Sequence, residues 1–153
     1  MHTNLSRFHE RAAEGWHAIA LRELSSGQKQ SHWMWWVFPQ LDGLGNSPLA
    51  NRYALEDDDE SRSFVEDPIL RSNLTEVTAA VVRALQAGRS PQALMGNATD
   101  VRKLVSALTL FAAVCDPDAA SEQALRSSCE RALGLLATHG HPRCAYTLDA
   151  LGL

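Results

Sequence analysis

Apolar residues recur along most of this chain at intervals of three and four, the period of helices that bury one face. Between Leu5 and Leu24, the residues Leu5, Phe8, Ala12, Trp16, Ile19 and Leu24 fall near one side. Arg7, Glu10, Arg11, Glu14 and Arg22 fall mostly on the other. Leu70, Leu74, Val77, Val81 and Leu85 make a second stripe, and Val101, Leu104, Val105, Leu108, Phe111 and Cys115 a third. Leu125, Cys129, Leu133 and Leu136 make a fourth, and Tyr146, Leu148 and Leu151 mark a short last helix. No two segments alternate as paired strands do. The pattern predicts an all-α, compact single-domain bundle over residues 1–153. It should hold about six to eight helices, several short, with no significant β-sheet.

The polar punctuation agrees. Ser47-Pro48, Asp67-Pro68, Ser90-Pro91 and Asp116-Pro117 each place a capping side chain before a proline suited to the first helical turn. Thr99 is a further cap candidate, and Gly27, Gly88 and Gly140 follow helical segments as stops. Asp57, Asp58, Asp59 and Glu60 form an acidic run. It lacks the alternating spacing and turn glycine of a calcium loop, and negative charge is favoured at the start of a helix.

Trp33 to Phe38 breaks the helical pattern, because it is apolar on both faces. A buried strand there would need a backbone partner, which the rest of the chain does not offer. A short helix or compact turn is expected instead, capped by Ser31 and ended by Pro39. Trp33, Trp35 and Trp36 cannot all face inward on so short a segment, so at least one should line a surface or groove.

Composition narrows the function classes. Net charge is −4 with no run of basic residues, so no nucleic-acid footprint or anionic-membrane face is expected. No apolar stretch approaches the roughly 18 residues that span a bilayer. The polar, amphipathic N-terminus does not read as a secretory signal. The three cysteines, Cys115, Cys129 and Cys144, are widely spaced and form neither a disulfide framework nor a zinc template. A cytoplasmic location follows as the expectation. His139 and His141 precede Cys144, but His2, His9 and His17 complete no ligand set, so no metal site and no cofactor are expected.

Two blocks carry a resemblance. Lys29, Ser31, His32, Trp33, Met34, Trp35, Phe38, Pro39, Gln40, Leu41, Gly43, Leu44, Gly45 and Ser47 stand in the run K-x-S-H-W-M-W-x-x-F-P-Q-L-x-G-L-G-x-S. Asp100, Lys103, Leu104, Ser106, Thr109, Leu110 and Phe111 stand in D-x-x-K-L-x-S-x-x-T-L-F. Together they resemble the uncharacterised bacterial family known as domain of unknown function 1810, from about Ser6 to the C-terminus. The resemblance implies a compact all-α domain and no established activity. The chain departs from the family pattern at Ala12, where a glutamine is expected, and at Ala107-Leu108, which replace a Ser-Met pair. It departs again at Cys144, which stands where the family often has the Asp of D-x-x-T-L.

Within these blocks the side chains suggest a site for a small anionic or nucleotide-like ligand. Lys29 and Lys103 supply positive charge beside the hydroxyl of Ser31, Trp35 could stack a flat ring, and Gln40 could read a polar edge. An imidazole suits acid–base work near neutral pH, so His32 is the candidate for it, with Asp100 as its orienting carboxylate. Each has a structural alternative. His32 could be a buried strut, the tryptophans core, and Asp100–Lys103 an ion pair across one helical turn. Two further readings stay open: a protein-interaction or homo-oligomer surface built from exposed Trp and Leu around residues 33–44, and a purely structural motif.

Overall fold

A computed structural model describes residues 4–153. The chain forms α1 (Ser6–Ala13), α2 (Trp16–Ser25), α3 (Met34–Val37), α4 (Pro48–Tyr53), α5 (Asp58–Glu66) and α6 (Pro68–Gln86). It continues through α7 (Pro91–Met95), α8 (Ala98–Val114), a 3-10 turn (Ala120–Glu122), α9 (Gln123–Thr138) and α10 (Ala145–Ala150). Among the described residues there is no sheet, only an isolated parallel bridge between Leu41 and Leu55.

The ten helices among the described residues exceed the expected six to eight, for two physical reasons. The continuous stripe from Leu5 to Leu24 is cut at Gly15, whose φ of 90° lies in the left-handed region and turns α2 away from α1. Short apolar runs such as Pro91–Met95 also close single helical turns of their own, stabilised by tertiary contacts rather than length.

The capping expectations divide in the same physical terms. Ser47, Asp67 and Ser90 accept hydrogen bonds from first-turn amides as expected. Asp57 caps α5, which makes the acidic run a helix start. Asn97 caps α8 in place of Thr99. Asp116 instead accepts from the amide of Asp118, closing a turn ahead of the 3-10 segment.

α8 lies at the centre of the core. Its predicted stripe is buried, and so are Ala107, Leu110 and Ala112 on its other sides, because α5, α7, α9 and α10 surround it. α6 packs against α9 and α2, and Phe8 of α1 meets Phe64 edge-on at 5.1 Å. The sides of α8 left to Asp100, Lys103 and Ser106 face the loop that follows α3 and the segment that enters α10.

Gly15→Ala keeps free space around the new methyl group but forces a left-handed backbone on an L-residue. It should lower unfolding free energy in urea by about 1 kcal/mol.

Candidate functional site

The segment before α3 is organised by a carboxylate that the sequence did not single out. Glu23, in the last turn of α2, accepts hydrogen bonds from the amides of Gln30 and Ser31, both at 2.9 Å. It also accepts from the Ser31 hydroxyl at 2.5 Å and from the Trp33 indole N–H at 2.9 Å. Burial pushes its pKa up, but these four donors outweigh burial and hold it at about 2. One local signal was available: an acid in the last turn of a helix opposes the helix dipole and needs another reason to be there. The donors are that reason. Ser31 is therefore committed to Glu23.

The tryptophans of this segment part company. Trp33 is fully buried against Phe38. Trp36 lies half-buried between Trp16 and Tyr53, with the Arg11 guanidinium 4.2 Å from its ring centroid. Trp35 turns to the other side, and the Lys103 ammonium sits 3.9 Å from its ring centroid. No residue from 33 to 44 with a large apolar side chain is fully exposed, which leaves the interaction surface expected there without an anchor. His32 is exposed and makes no hydrogen bond or ion pair with any described residue, so it is not a buried strut.

Asp100 faces lysines rather than His32. Its Oδ2 lies 3.0 Å from Lys29 Nζ and its Oδ1 3.6 Å from Lys103 Nζ. Lys29 is only 9% exposed. Its ammonium also donates to the Ser31 carbonyl at 2.6 Å, and its amide donates to Leu94 O at 2.7 Å. Lys29 thus ties the loop after α2 to α7 and to the start of α8. Lys103 is less buried and continues outward past Trp35.

Beyond Lys103 opens a cleft of about 490 Å³, lined by Gln40, Leu44, Thr99, Arg102, Lys103, Val105, Ser106, His141, Pro142 and Cys144. Gln40 is 6% exposed, and its side-chain amide bonds to no described residue. Its backbone carbonyl accepts from Leu55 N at 2.9 Å, so the Leu41–Leu55 bridge fixes its position. Across the cleft, Thr109 of α8 accepts from the amide of Cys144 at 3.1 Å. The Tyr146 hydroxyl donates to Asp42 O at 2.7 Å and fastens the two walls together. Gly43 makes this approach possible, since its φ is +99° and a Cβ there would lie 1.9 Å from the Tyr146 oxygen.

Of the residues expected in a site, Gln40 and Lys103 line this cleft, and Trp35 and Asp100 hold Lys103. Lys29 and Ser31 lie behind it, and His32 lies outside it. Arg102, His141 and Cys144 were not foreseen as members, because only the fold brings the α10 entry segment against α8. Two other concavities differ in kind. A hollow of about 30 Å³ under Trp16 and Trp36 is apolar and has room only for water. A groove of about 760 Å³ is dominated by the acids Glu10, Asp42, Glu56, Asp57, Asp59 and Glu60.

The sequence profile of the family described as "Protein of unknown function (DUF1810)" matches residues 2–133. The chain belongs to DUF1810. A solved relative is similar over nearly its full length: the conserved hypothetical protein Rv1873 from Mycobacterium tuberculosis. It is 34% identical, has a TM-score of 0.78, and covers 97% of this chain and 96% of its own. A search of the curated proteins returns no match. The DUF1810 match includes Gln40 and the α8 wall of the cleft but ends before His141 and Cys144.

Two outcomes follow. Glu23→Gln should lower unfolding free energy by about 2 kcal/mol in urea, because it replaces a charged acceptor of four donors. The folded-state pKa of Glu23 lies below its ordinary 4.5, so between pH 4.5 and about 2 the unfolded chain binds more protons. The stabilisation is present above pH 4.5 and lost as pH falls to 2, and a pH series on the two proteins should converge there. His32→Ala, by contrast, should stay within about 0.5 kcal/mol of wild type in the same titration.

Proposed function

We propose that this DUF1810 protein, as one all-α domain, binds a small anionic ligand in the cleft between α8, the Gln40 loop and the segment entering α10. The observation that carries this reading is the composition of the cleft. It presents Arg102, Lys103 and His141, together with the unpartnered amide of Gln40, and no carboxylate lines it. The whole chain is acidic, with a net charge of −4, so a cationic concavity runs against the average of its surface. A low-dielectric cleft concentrates such a field on an incoming anion. Its size falls within the roughly 300–1,000 Å³ of small-ligand sites.

The roles divide by position. Lys103 and Arg102 attract the anion, Gln40 pairs with a polar edge through its free amide, and Thr99 and Ser106 add hydroxyls. Trp35 and Asp100 fix Lys103. Because the Lys103 ammonium already covers a face of Trp35, this reading uses that tryptophan to hold the lysine rather than to stack a base. His32 has no part in it.

The test is thermal unfolding at low salt with inorganic phosphate, pyrophosphate, citrate and AMP, followed by calorimetry on any that raise Tm. At a hundredfold excess over Kd, a true ligand stabilises by about 2.7 kcal/mol. Arg102→Glu should abolish the shift while leaving the unliganded protein within about 0.5 kcal/mol of wild type, since Arg102 is exposed. Arg83→Glu, on the distant α6, should leave binding intact. A panel in which no anion raises Tm, or a shift that Arg102→Glu leaves unchanged, would sink the reading.

A further inference from the structure

The cleft contains a nucleophile that anion binding does not use. Cys115 and Cys129 are buried in the core, and burial pushes both thiols up, that of Cys115 to about 12. Both are inert in the folded chain. Cys144 is only half-buried and lines the cleft with Arg102, Lys103 and His141.

Its surroundings are arranged to accept an anionic sulfur. Burial pushes the thiol up, but the nearby hydroxyls of Ser106 and Thr147 and amides of Thr147 and Tyr146 outweigh it and lower the pKa, while no hydrogen bond of ordinary geometry caps α10 through the sulfur at rest. In its resting position the Ser106 hydroxyl donates to Arg102 O at 2.9 Å, and its single proton can rotate to the sulfur. The Thr147 hydroxyl is fully buried and has no partner of ordinary geometry among the described residues. A thiolate at Cys144 supplies the acceptor it lacks.

The backbone of Cys144 is itself held by Thr109, so the sulfur does not drift from the cleft. Opposite, Gln40 is a buried residue that lines the same space, and its side-chain amide bonds to no described residue. A bound group is therefore met by an unpaired amide, two cations and a sulfur at once.

We infer that Cys144 is a modification site that takes small anionic disulfides, forming a mixed disulfide with the half that the cleft retains. The inference rests on the anion-binding reading and adds the chemical class of the ligand. In the step, the Cys144 thiolate attacks one sulfur of the bound disulfide. The protein–sulfur bond forms as the S–S bond of the disulfide breaks, and the leaving thiolate takes up a proton equivalent to the one Cys144 gave to solvent. Cys144 is oxidised and the departing sulfur is reduced, so the disulfide is the only oxidant needed. Arg102 and Lys103 favour reagents that carry carboxylates.

The test compares the folded, reduced protein with free cysteine in two reagents: the dianionic disulfide of nitrothiobenzoate and the neutral dithiodipyridine. Peptide mapping of the labelled wild-type protein should place the modification on Cys144, and Cys144→Ser should remove it. Relative to free cysteine, the anionic reagent should react about ten-fold faster than the neutral one at low salt. That preference should vanish in Arg102→Gln and at high salt. A ratio at or below one in the wild type, or label on Cys115 or Cys129 that persists in Cys144→Ser, would overturn the inference. Phosphate, pyrophosphate, citrate and AMP are titrated against Cys144→Ser in parallel. Anion binding there without anionic preference at the thiol leaves the cleft reading standing and removes only the disulfide chemistry. Loss of anion binding itself points to failure of the cleft reading.

Discussion

The carboxylate of Asp100 sits where two lysines from distant parts of the chain meet, and much of the remaining geometry is set by that meeting. Lys29 reaches it from the loop after α2, and Lys103 reaches it from one turn further along α8. Such a pair gains little net stability over an apolar core, because both ions lose hydration. Leaving one ion unpaired is expensive, and that asymmetry gives the contact its structural force. A loop placed anywhere else would strand a buried lysine. The Lys29 ammonium is also bound by the Ser31 carbonyl, and Ser31 by Glu23, so the constraint passes from α8 through the loop to α2.

From this anchor α8 distributes four polar side chains to four tasks. Asp100 fixes the loop, Lys103 leans over Trp35 into the cleft, Ser106 lines the cleft floor, and Thr109 holds the backbone of Cys144. Spacing by three on a helix of 3.6 residues per turn makes this row drift around the axis. Each residue therefore meets a different neighbour. The motif that looks like one patch in sequence is a spiral in space, and it joins the Gln40 loop on one side to α10 on the other. Tyr146 completes the frame by bonding to Asp42, across a position where only glycine leaves room.

The two family-like blocks therefore share one structural reason. The first supplies the aromatic core plug Trp33, the half-exposed Trp35 and the free amide of Gln40. The second supplies the charges and hydroxyls that face them. A reading of either block alone assigns its residues to the wrong partners. His32 and Asp100 looked like an acid–base pair, yet Asp100 is taken by cations and His32 stands at the surface.

Sequence by itself determined the all-helical class, the stripes of α6, α8 and α9, and the caps at Ser47, Asp67 and Ser90. These follow from interactions within a few residues, where periodicity and capping chemistry are written directly in the order of side chains. It also marked Gln40 and Lys103 as residues of interest. Tertiary structure alone decided that Glu23 gathers the loop donors, that Gly15 splits the first stripe into two helices, and that Cys144 and His141 close a cleft against α8. Such contacts join residues as far as 104 positions apart, as Tyr146 and Asp42 are. Their free energy depends on desolvation and on which polar groups are left unpaired, and neither is fixed until the helices have packed.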